Sequence, residues 1–269
     1  MIKIGIRAHD LGKNSAEALV QVARDYGFEG FQLVFQKALK EDISLLDAST
    51  VPTIFSTFPI FMIGSYFNMI HPDESIRLQG KQTFLQTLKL ASLIQVPYVG
   101  TETGSFLGSP WNYHPYNHSD EALKQVIAMT SELVDYATDC GSIVAIEGAY
   151  AHVAYSPLRV QTILKQIQSP SLKVIVDLYN FLHIGNHELR MQILEECFQR
   201  FQNHIVIFHL KDYIVENSTL KQVGLGQGLM DYKEIMKQIK QKTPNAICIF
   251  EGVIGEDIAS SILYIKSLM

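Results

Sequence analysis

Hydrophobic positions along the chain fall into short, nearly continuous apolar runs that alternate with longer segments of helical period. The runs are rich in Ile and Val, which is typical of parallel strands covered on both faces. Eight such units predict strands at residues 2–8, 31–35, within 51–63, and at 98–101, 142–146, 172–176, 205–208 and 247–250. We therefore predict an α/β fold, a closed (β/α)8 TIM barrel, formed by one domain that spans residues 1–269.

Capping residues place the helices between these strands. Asn14-Ser15 precedes a helix that runs to Tyr26 and stops at Gly27, and Pro72-Asp73 opens a long helix that reaches about Ile94. Further helices are predicted at 42–46, at 120–138, from 156 onward, and at 187–202, 231–240 and 256–268. The stretch from Gly104 to His118 is rich in Gly, Pro and aromatic residues, so it predicts a loop that acts as a lid or a rim.

Composition narrows the classes of protein to which the chain belongs. Apolar residues make up 47% of it, and the net charge is −5 without a basic stripe, which argues against a nucleic-acid partner. Three scattered cysteines without a CxxC pair indicate reduced thiols. The N-terminus lacks a signal-peptide core and no segment has the length of a membrane span, so a cytoplasmic location without membrane contact is expected. A homo-oligomer stays open.

The last residue of each late strand is a candidate metal ligand. In order these residues are Glu147, Asp177, His209 and Glu251, each about one β/α repeat after the previous one. The C-terminal ends of barrel strands meet at one mouth, where the active sites of such enzymes lie. One acidic residue at a strand end is commonly a helix cap, but four ligand types in register on consecutive strands predict a shared site.

Three carboxylates and one imidazole favour a single divalent metal ion, with Mn²⁺, Mg²⁺, Co²⁺ or Zn²⁺ as candidates. Four protein ligands leave about two positions of an octahedral shell for two adjacent oxygens of a hydroxy-ketone. The ion would polarise the carbonyl and stabilise an enediolate. Carboxylate oxygens that do not bind the ion would move the proton.

The ordered set of Glu147, Asp177, the segment His209-Leu210-Lys211-Asp212 and Glu251 resembles the xylose isomerase-like barrel superfamily of sugar and sugar-phosphate isomerases and epimerases. The resemblance covers nearly the whole chain. It implies a small carbohydrate substrate, and it implies that Glu147 and Glu251 both bind metal and act as the catalytic acid/base pair. Other stretches that resemble members of this superfamily are Tyr66-Phe67-Asn68, His71-Pro72-Asp73, Thr101-Glu102-Thr103-Gly104 and the segment Gly224 to Tyr232.

Four further residues are predicted to bind substrate: His71, Glu102, Asn180 and Lys211. His71 and Glu102 follow the third and fourth strands at the same mouth. Asn180 stands where ketose 3-epimerases usually carry a His, and it would donate to a substrate hydroxyl. Lys211 would meet an anionic substrate group or form a salt bridge with a neighbouring acid.

Four functions remain open at this point. The first is a metal-dependent sugar or sugar-phosphate isomerase or epimerase. The second is a dehydratase or isomerase of an inosose, in which the same enediolate expels a hydroxyl group. The third is a DNA repair enzyme like endonuclease IV, which would need more histidines and tight binding to abasic DNA. The fourth is a non-catalytic binding barrel, which an absence of metal affinity would favour.

Overall fold

Eight parallel strands close into a barrel in the computed structural model, which describes residues 2–109 and 111–269. The strands of the described residues, of which β8 and β9 lie outside the barrel, are in chain order β1 Lys3–Arg7, β2 Phe31–Leu33, β3 Ile60–Gly64, β4 Tyr98–Glu102, β5 Val144–Glu147, β6 Leu172–Asp177, β7 Ile205–Leu210, β8 Asp212–Glu216, β9 Thr219–Val223 and β10 Ile247–Phe250. The order around the barrel is β1-β10-β7-β6-β5-β4-β3-β2, with β2 paired to β1. The (β/α)8 barrel predicted from the sequence is confirmed.

Helices cover the outside of the barrel, and most begin at the capping residues that the sequence indicated. They are α1 Ala16–Tyr26, α2 Phe35–Ala38, α3 Glu74–Leu93, α4 Asp120–Cys140, α5 Pro157–Ile167, α6 Arg190–Phe201, α7 Tyr232–Lys242 and α8 Asp257–Ser267. The Ser15 hydroxyl accepts from the Ala18 amide, and Gly27 ends α1 at a φ of 82°. Within the described ranges, no helix combines the length and the apolar character that a bilayer crossing requires.

The predicted short helix at 42–46 is wrong, because this segment forms turns. Its polar side chains bond nearby backbone, which competes with helix formation: Ser44 Oγ accepts from the Leu46 amide, and Asp47 Oδ1 accepts from the Ser49 amide. The short helix is instead α2, directly after β2. The third strand lies at the end of its predicted segment, since β3 begins after Pro59.

An antiparallel hairpin of β8 and β9 follows β7 and was not predicted. It leaves the barrel at the mouth and returns before α7. Its register pairs Asp212 with Val223 and Glu216 with Thr219. The hairpin therefore adds a wall of backbone and side chains on the side of the mouth where β7 and β10 end.

The barrel interior is filled by a small apolar cluster of Phe61, Met62, Ala145, Ile175, Ile207 and Ile249. A second and larger core lies between the strands and the helices. Gly30 makes room for the interior, because a Cβ at this position would lie 2.6 Å from Phe61 Cζ. A filled barrel leaves the chemistry to the residues at its mouth.

Candidate metal centre

The four strand-end residues Glu147, Asp177, His209 and Glu251, which we call the ligand cluster, meet at the mouth of the barrel. One candidate ligand atom from each lies within 4.8 Å of the others. Their side chains are buried, apart from 12% exposure for Glu251. Sheet register explains the convergence: Asp177 lies opposite His209, and β10 lies beside β7 so that Glu251 follows directly.

The donor set fits a divalent cation. The imidazole Nδ1 of His209 lies 3.4 Å from Glu147 Oε2, 3.8 Å from Asp177 Oδ2 and 2.7 Å from Glu251 Oε2. Both His209 Nδ1 and Glu251 Oε2 are buried without a hydrogen bond of normal geometry among the described residues. Buried polar atoms that crowd around one point without well-formed hydrogen bonds are expected where an ion belongs. The cluster can therefore bind a metal.

Lys211 and Arg7 place two cations beside the ligand cluster. The Lys211 ammonium lies 2.7 Å from Asp177 Oδ2 and 3.0 Å from Glu251 Oε1. Arg7 donates from NH1 to the same Glu251 oxygen at 2.8 Å, and its other nitrogens face Asp10. Of the two roles predicted for Lys211, the structure displays the salt bridge with neighbouring acids.

Burial and mutual charge shift the pKa values of the cluster in opposite directions. Burial raises the pKa of Asp177 to about 6 despite the nearby Lys211. Burial would also raise the pKa of Glu251, but Lys211 and His209 hold it well below its usual value. Burial would lower the pKa of His209, whereas Glu251 and Glu147 raise it to about 10. Without an ion, a proton on His209 supplies part of the missing positive charge.

Asn180 links the ligand cluster to the space outside it. Its side-chain amide donates to Glu147 Oε1 at 2.6 Å, and its backbone amide donates to Asp177 Oδ1 at 3.0 Å. The Asn180 side-chain oxygen accepts from Lys211 at 3.1 Å. Asn180 therefore holds the side chains of Glu147, Asp177 and Lys211 in position relative to one another.

A cavity of about 440 Å³, which we call the rim cavity, opens beside Asn180. Glu102 lies on its inner side and Tyr150 and His183 on its outer side, where their rings stack at 4.0 Å between centroids. The remaining lining residues are Ala149, Ala151, His152, Tyr179, Leu182, Ile184, Ser218, Thr219 and Leu220. The rim cavity has room for a sugar-sized molecule with a polar inner end and an aromatic outer face.

Glu102 and His152 face each other across the inner end of the rim cavity. Burial, together with Glu147 and Glu251, raises the pKa of Glu102 to about 8. His152 donates from Nε2 to the Trp111 carbonyl at 3.2 Å, so its Nδ1 carries no proton. Glu102 Oε1 lies 3.8 Å from that Nδ1, too far for a hydrogen bond. Both groups are free to bond a hydroxyl placed between them.

The segment from Gly104 to His118, predicted as a lid or a rim, is fastened near both of its ends, and Pro110 within it lies outside the described residues. The buried side chain of Asn68 donates to the Ser105 carbonyl at 2.6 Å and accepts from the Ser105 amide at 3.0 Å. Asn117, also buried, accepts from the Phe106 amide and donates to the Ala151 carbonyl. Two buried amides therefore fasten the segment to its neighbours on both sides.

His71 lies apart from the rim cavity. Together with Tyr66 and Trp111, it lines a second cavity of about 460 Å³ between α3 and the segment 104–118. Its Nδ1 accepts from the Asp73 amide at 3.0 Å, just before α3 begins. Substrate contact by His71 stays a prediction, whereas Glu102 and Asn180 line the cavity beside the cluster.

Sequence reasoning missed Arg7, Asp10 and His152. Arg7 meets Glu251 across 244 positions of the chain, a separation at which no local pattern exists. The available signal was its place as the polar residue that ends β1, at the same mouth as the other strand-end residues. His152 lies in the loop after β5, five positions beyond Glu147, and spacing alone did not distinguish it from a surface histidine.

Comparison with protein families gives one match over most of the chain. A family model described as xylose isomerase-like TIM barrel matches residues 20–268. No curated protein sequence matches the chain.

Solved structures share the fold at low sequence identity. The IOLI protein with a bound zinc atom has a TM-score of 0.76 and 17% identity, covering 99% of this chain and 96% of that one. The 3-keto-D-glucoside 4-epimerase YcjR from E. coli has a TM-score of 0.73 and 15% identity, covering 99% and 100%. A xylose isomerase-like TIM barrel protein from Mycobacterium smegmatis in complex with magnesium has a TM-score of 0.72 and 15% identity, covering 99% and 95%.

Proposed function

The chain belongs to the xylose isomerase-like TIM barrel family, and from this premise we propose that it is a divalent-metal-dependent isomerase or epimerase of a sugar or a sugar-like carbonyl compound. The observation that carries the proposal is the ligand cluster. Three carboxylates and one imidazole lie within 4.8 Å of one another at the mouth of a barrel, beside a cavity of sugar size. Binding and catalytic sites occupy this end of such barrels.

Glu147, Asp177, His209 and Glu251 would hold the ion. A divalent ion held there would supply Lewis-acid stabilisation for the negative charge that develops on a carbonyl oxygen during proton removal. Two fold neighbours were solved with zinc or magnesium, which supports a bound metal and leaves its identity open.

Glu147 and Glu251 are the proposed proton-transfer pair. Each has one oxygen held by the protein: Glu147 Oε1 accepts from Asn180, and Glu251 Oε1 accepts from Arg7. These contacts fix the direction in which each carboxylate faces, which proton transfer requires. One carboxylate removes the proton beside the carbonyl, and the other returns a proton to the carbon that receives it.

Asn180 and Glu102 are the proposed contacts to substrate hydroxyls, because both line the rim cavity. Lys211 is proposed to position Asp177 and Glu251, since its ammonium already meets both. The E. coli epimerase of 3-keto-D-glucosides shares the fold and supports carbohydrate chemistry of this kind.

Metal content tests the first part of the proposal. Purified protein should carry about one divalent ion per chain. A chelator should abolish the turnover of ketoses, and adding the metal back should restore it. A panel of ketoses, aldoses and inososes with product analysis separates isomerase, epimerase and dehydratase activities. A well-folded protein with no affinity for Mn²⁺, Mg²⁺, Co²⁺ or Zn²⁺ would contradict the proposal and favour a binding barrel.

Deuterium exchange tests the second part. In D2O the enzyme should exchange the substrate proton beside the carbonyl, and Glu147→Gln and Glu251→Gln should each lose exchange by about a hundredfold or more. The metal content of each variant is measured alongside, because both residues are proposed ligands. Glu216→Gln is the matched control, since Glu216 is exposed on the hairpin and pairs with Lys221. Undiminished exchange in both active-site variants would exclude these residues as the acid/base pair.

A further inference from the structure

We propose that the rim cavity selects an uncharged sugar-like carbonyl compound and rejects its phosphorylated or carboxylated counterpart. This inference rests on the proposed function, because it names the class of substrate that the same site takes. Three independent features of the mouth support it: the state of its two cations, the lining of the rim cavity, and the backbone amides of the loop after β9.

Both cations beside the ligand cluster are already neutralised by acids of the chain. The ammonium of Lys211 has three donors, and three oxygens surround it, from Asp177, Glu251 and Asn180. Arg7 donates to both oxygens of Asp10 and to Glu251. Lys211 therefore has no N–H left for a phosphate oxygen, and each of the three Arg7 nitrogens already donates to a carboxylate. A phosphate would have to break an ion pair that is largely buried, which is costly.

The lining of the rim cavity offers no replacement. Among the described residues that line it there is no lysine or arginine, and the one acidic residue is Glu102. Burial lowers the pKa of both histidines in the lining, that of His152 to about 4, which disfavours a positive charge on either ring. The polar groups that remain are hydroxyls, amides and ring nitrogens, which match the hydroxyls of a neutral sugar.

Backbone amides that could bind a phosphate are occupied by a carboxylate of the chain itself. Barrels of this class frequently bind phosphate with the loops after the seventh and eighth barrel strands. Here the glycine-rich loop after β9 directs the amides of Gly226 and Gly228 to Asp212 Oδ2 at 2.9 and 3.0 Å. Asp212 Oδ1 accepts from the amides of Tyr213 and Met230. The fully buried Asp212 thus fills an anion nest with an internal anion.

The sum of charges at the mouth points the same way. The acids beside the two cations are Glu147, Asp177, Glu251 and Asp10, and they face Arg7, Lys211 and at most one divalent ion. Even with the ion bound, the mouth has no surplus of positive charge. A phosphate group on a sugar whose carbonyl binds the ion would lose hydration there without gaining a partner of its own, whereas a neutral sugar loses only hydroxyl hydration that the lining restores.

Trp111 supplies a direct measurement of binding. It is the one tryptophan of the chain, and its ring lies 5.7 Å from the ring of His152 on the cavity wall. Metal-loaded protein is titrated with neutral ketohexoses, with their 6-phosphates and with inorganic phosphate, following Trp111 fluorescence. We expect the neutral member of a pair to bind at least about tenfold tighter, and inorganic phosphate to give no saturable change.

A charge variant checks that electrostatics decides the preference. Ile184→Lys adds a cation to the cavity lining, at a residue that is already 47% exposed, and should narrow the gap between ketohexose and phosphate about fivefold. Leu263→Lys is the matched control, since Leu263 is 70% exposed on α8, and it should leave the gap unchanged.

The outcomes separate this inference from the proposed function. Phosphate esters that bind as tightly as the neutral sugars, or saturable binding of inorganic phosphate, would overturn the inference and leave the isomerase proposal standing. Tight binding of neutral sugars with no isomerised or epimerised product would overturn the proposed function and support the selectivity inferred here.

Discussion

At the scale of single residues, Lys211 has the most unusual surroundings. Its ammonium is buried among two acids and one amide of the candidate metal centre. Burial would lower the pKa of Lys211, but Asp177 and Glu251 raise it above the usual lysine value. A permanently charged lysine therefore holds two acids together whether or not an ion is present.

Replacing Lys211 with Met should destabilise the metal-free protein by about 3–5 kcal/mol, because two buried acids lose their partner. Addition of a divalent ion should recover much of this loss, since the ion then neutralises the same acids. Urea unfolding with and without metal measures both effects. The control is Lys221→Met, whose exposed pair with Glu216 should matter far less. Equal losses in the two variants would contradict the role given to Lys211.

His152 makes stability depend on pH. Its pKa in the folded state is about 4 because it is buried, whereas the unfolded value is near 6.5. The unfolded chain therefore binds more protons between these values, so the stabilisation present above pH 6.5 is lost as the pH falls towards 4. By pH 5 the loss should be about 2 kcal/mol.

Comparison with His152→Gln isolates this effect, because His9 and every other titrating group stay the same. Glutamine can still donate to the Trp111 carbonyl but does not titrate in this range. Urea unfolding at pH 8 and at pH 5 should show the wild type losing more stability than the variant. A difference between the two proteins that does not change with pH would rule out His152 as the source.

At the scale of elements, the β8–β9 hairpin is a wall of the rim cavity that depends on one carboxylate. Ser218, Thr219 and Leu220 reach the cavity, and Gln222 donates to the Glu251 carbonyl at 2.6 Å. Asp212 joins the base of the hairpin to the loop after it, because its carboxylate accepts hydrogen bonds from four backbone amides. We therefore expect Asp212 to hold the hairpin in its position beside the rim cavity.

Asp212→Asn should cost about 3 kcal/mol, because an amide nitrogen would face donors that the carboxylate satisfied. Hydrogen exchange should speed up across residues 212–230 and stay unchanged in the barrel strands. Asp231→Asn is the matched control, since Asn caps a helix about as well as Asp does at the start of α7. Slow exchange throughout residues 212–230 in Asp212→Asn would show that other contacts hold the wall.

Sequence pattern predicted the barrel strands and the ligand cluster, because both depend on a repeat that local composition encodes. Apolar runs mark the strands, and the residue at the end of each run points to the mouth. The hairpin was not predicted because only Lys211 separates the end of β7 from the start of β8, so the two strands look like a single segment in the sequence. Arg7 was not predicted because its partner Glu251 lies 244 positions away in the sequence. The predicted helix at 42–46 is absent because the Ser44 side chain bonds the nearby Leu46 amide and so competes with helix formation.

For the whole molecule, metal binding should be coupled to folding. The ligand cluster exists only when four barrel strands are in place, so an ion bound there favours the folded state. At an ion concentration about a hundredfold above Kd the gain should be about 2.7 kcal/mol. Thermal unfolding across a metal titration measures it, and Asp177→Asn should reduce the gain while Glu216→Gln retains it. A wild-type melting temperature that does not change with metal concentration would contradict a metal site at the ligand cluster.

The pairing of β1 with β10 has a consequence for the order in which the protein is made. Arg7 leaves the ribosome 244 positions before Glu251, the residue with which it forms an ion pair. Until β10 inserts between β1 and β7, both of those strands present an open edge that can pair with another chain. Completion of the metal centre and closure of the last gap in the sheet are thus one event, and a nascent chain is most prone to aggregation just before it.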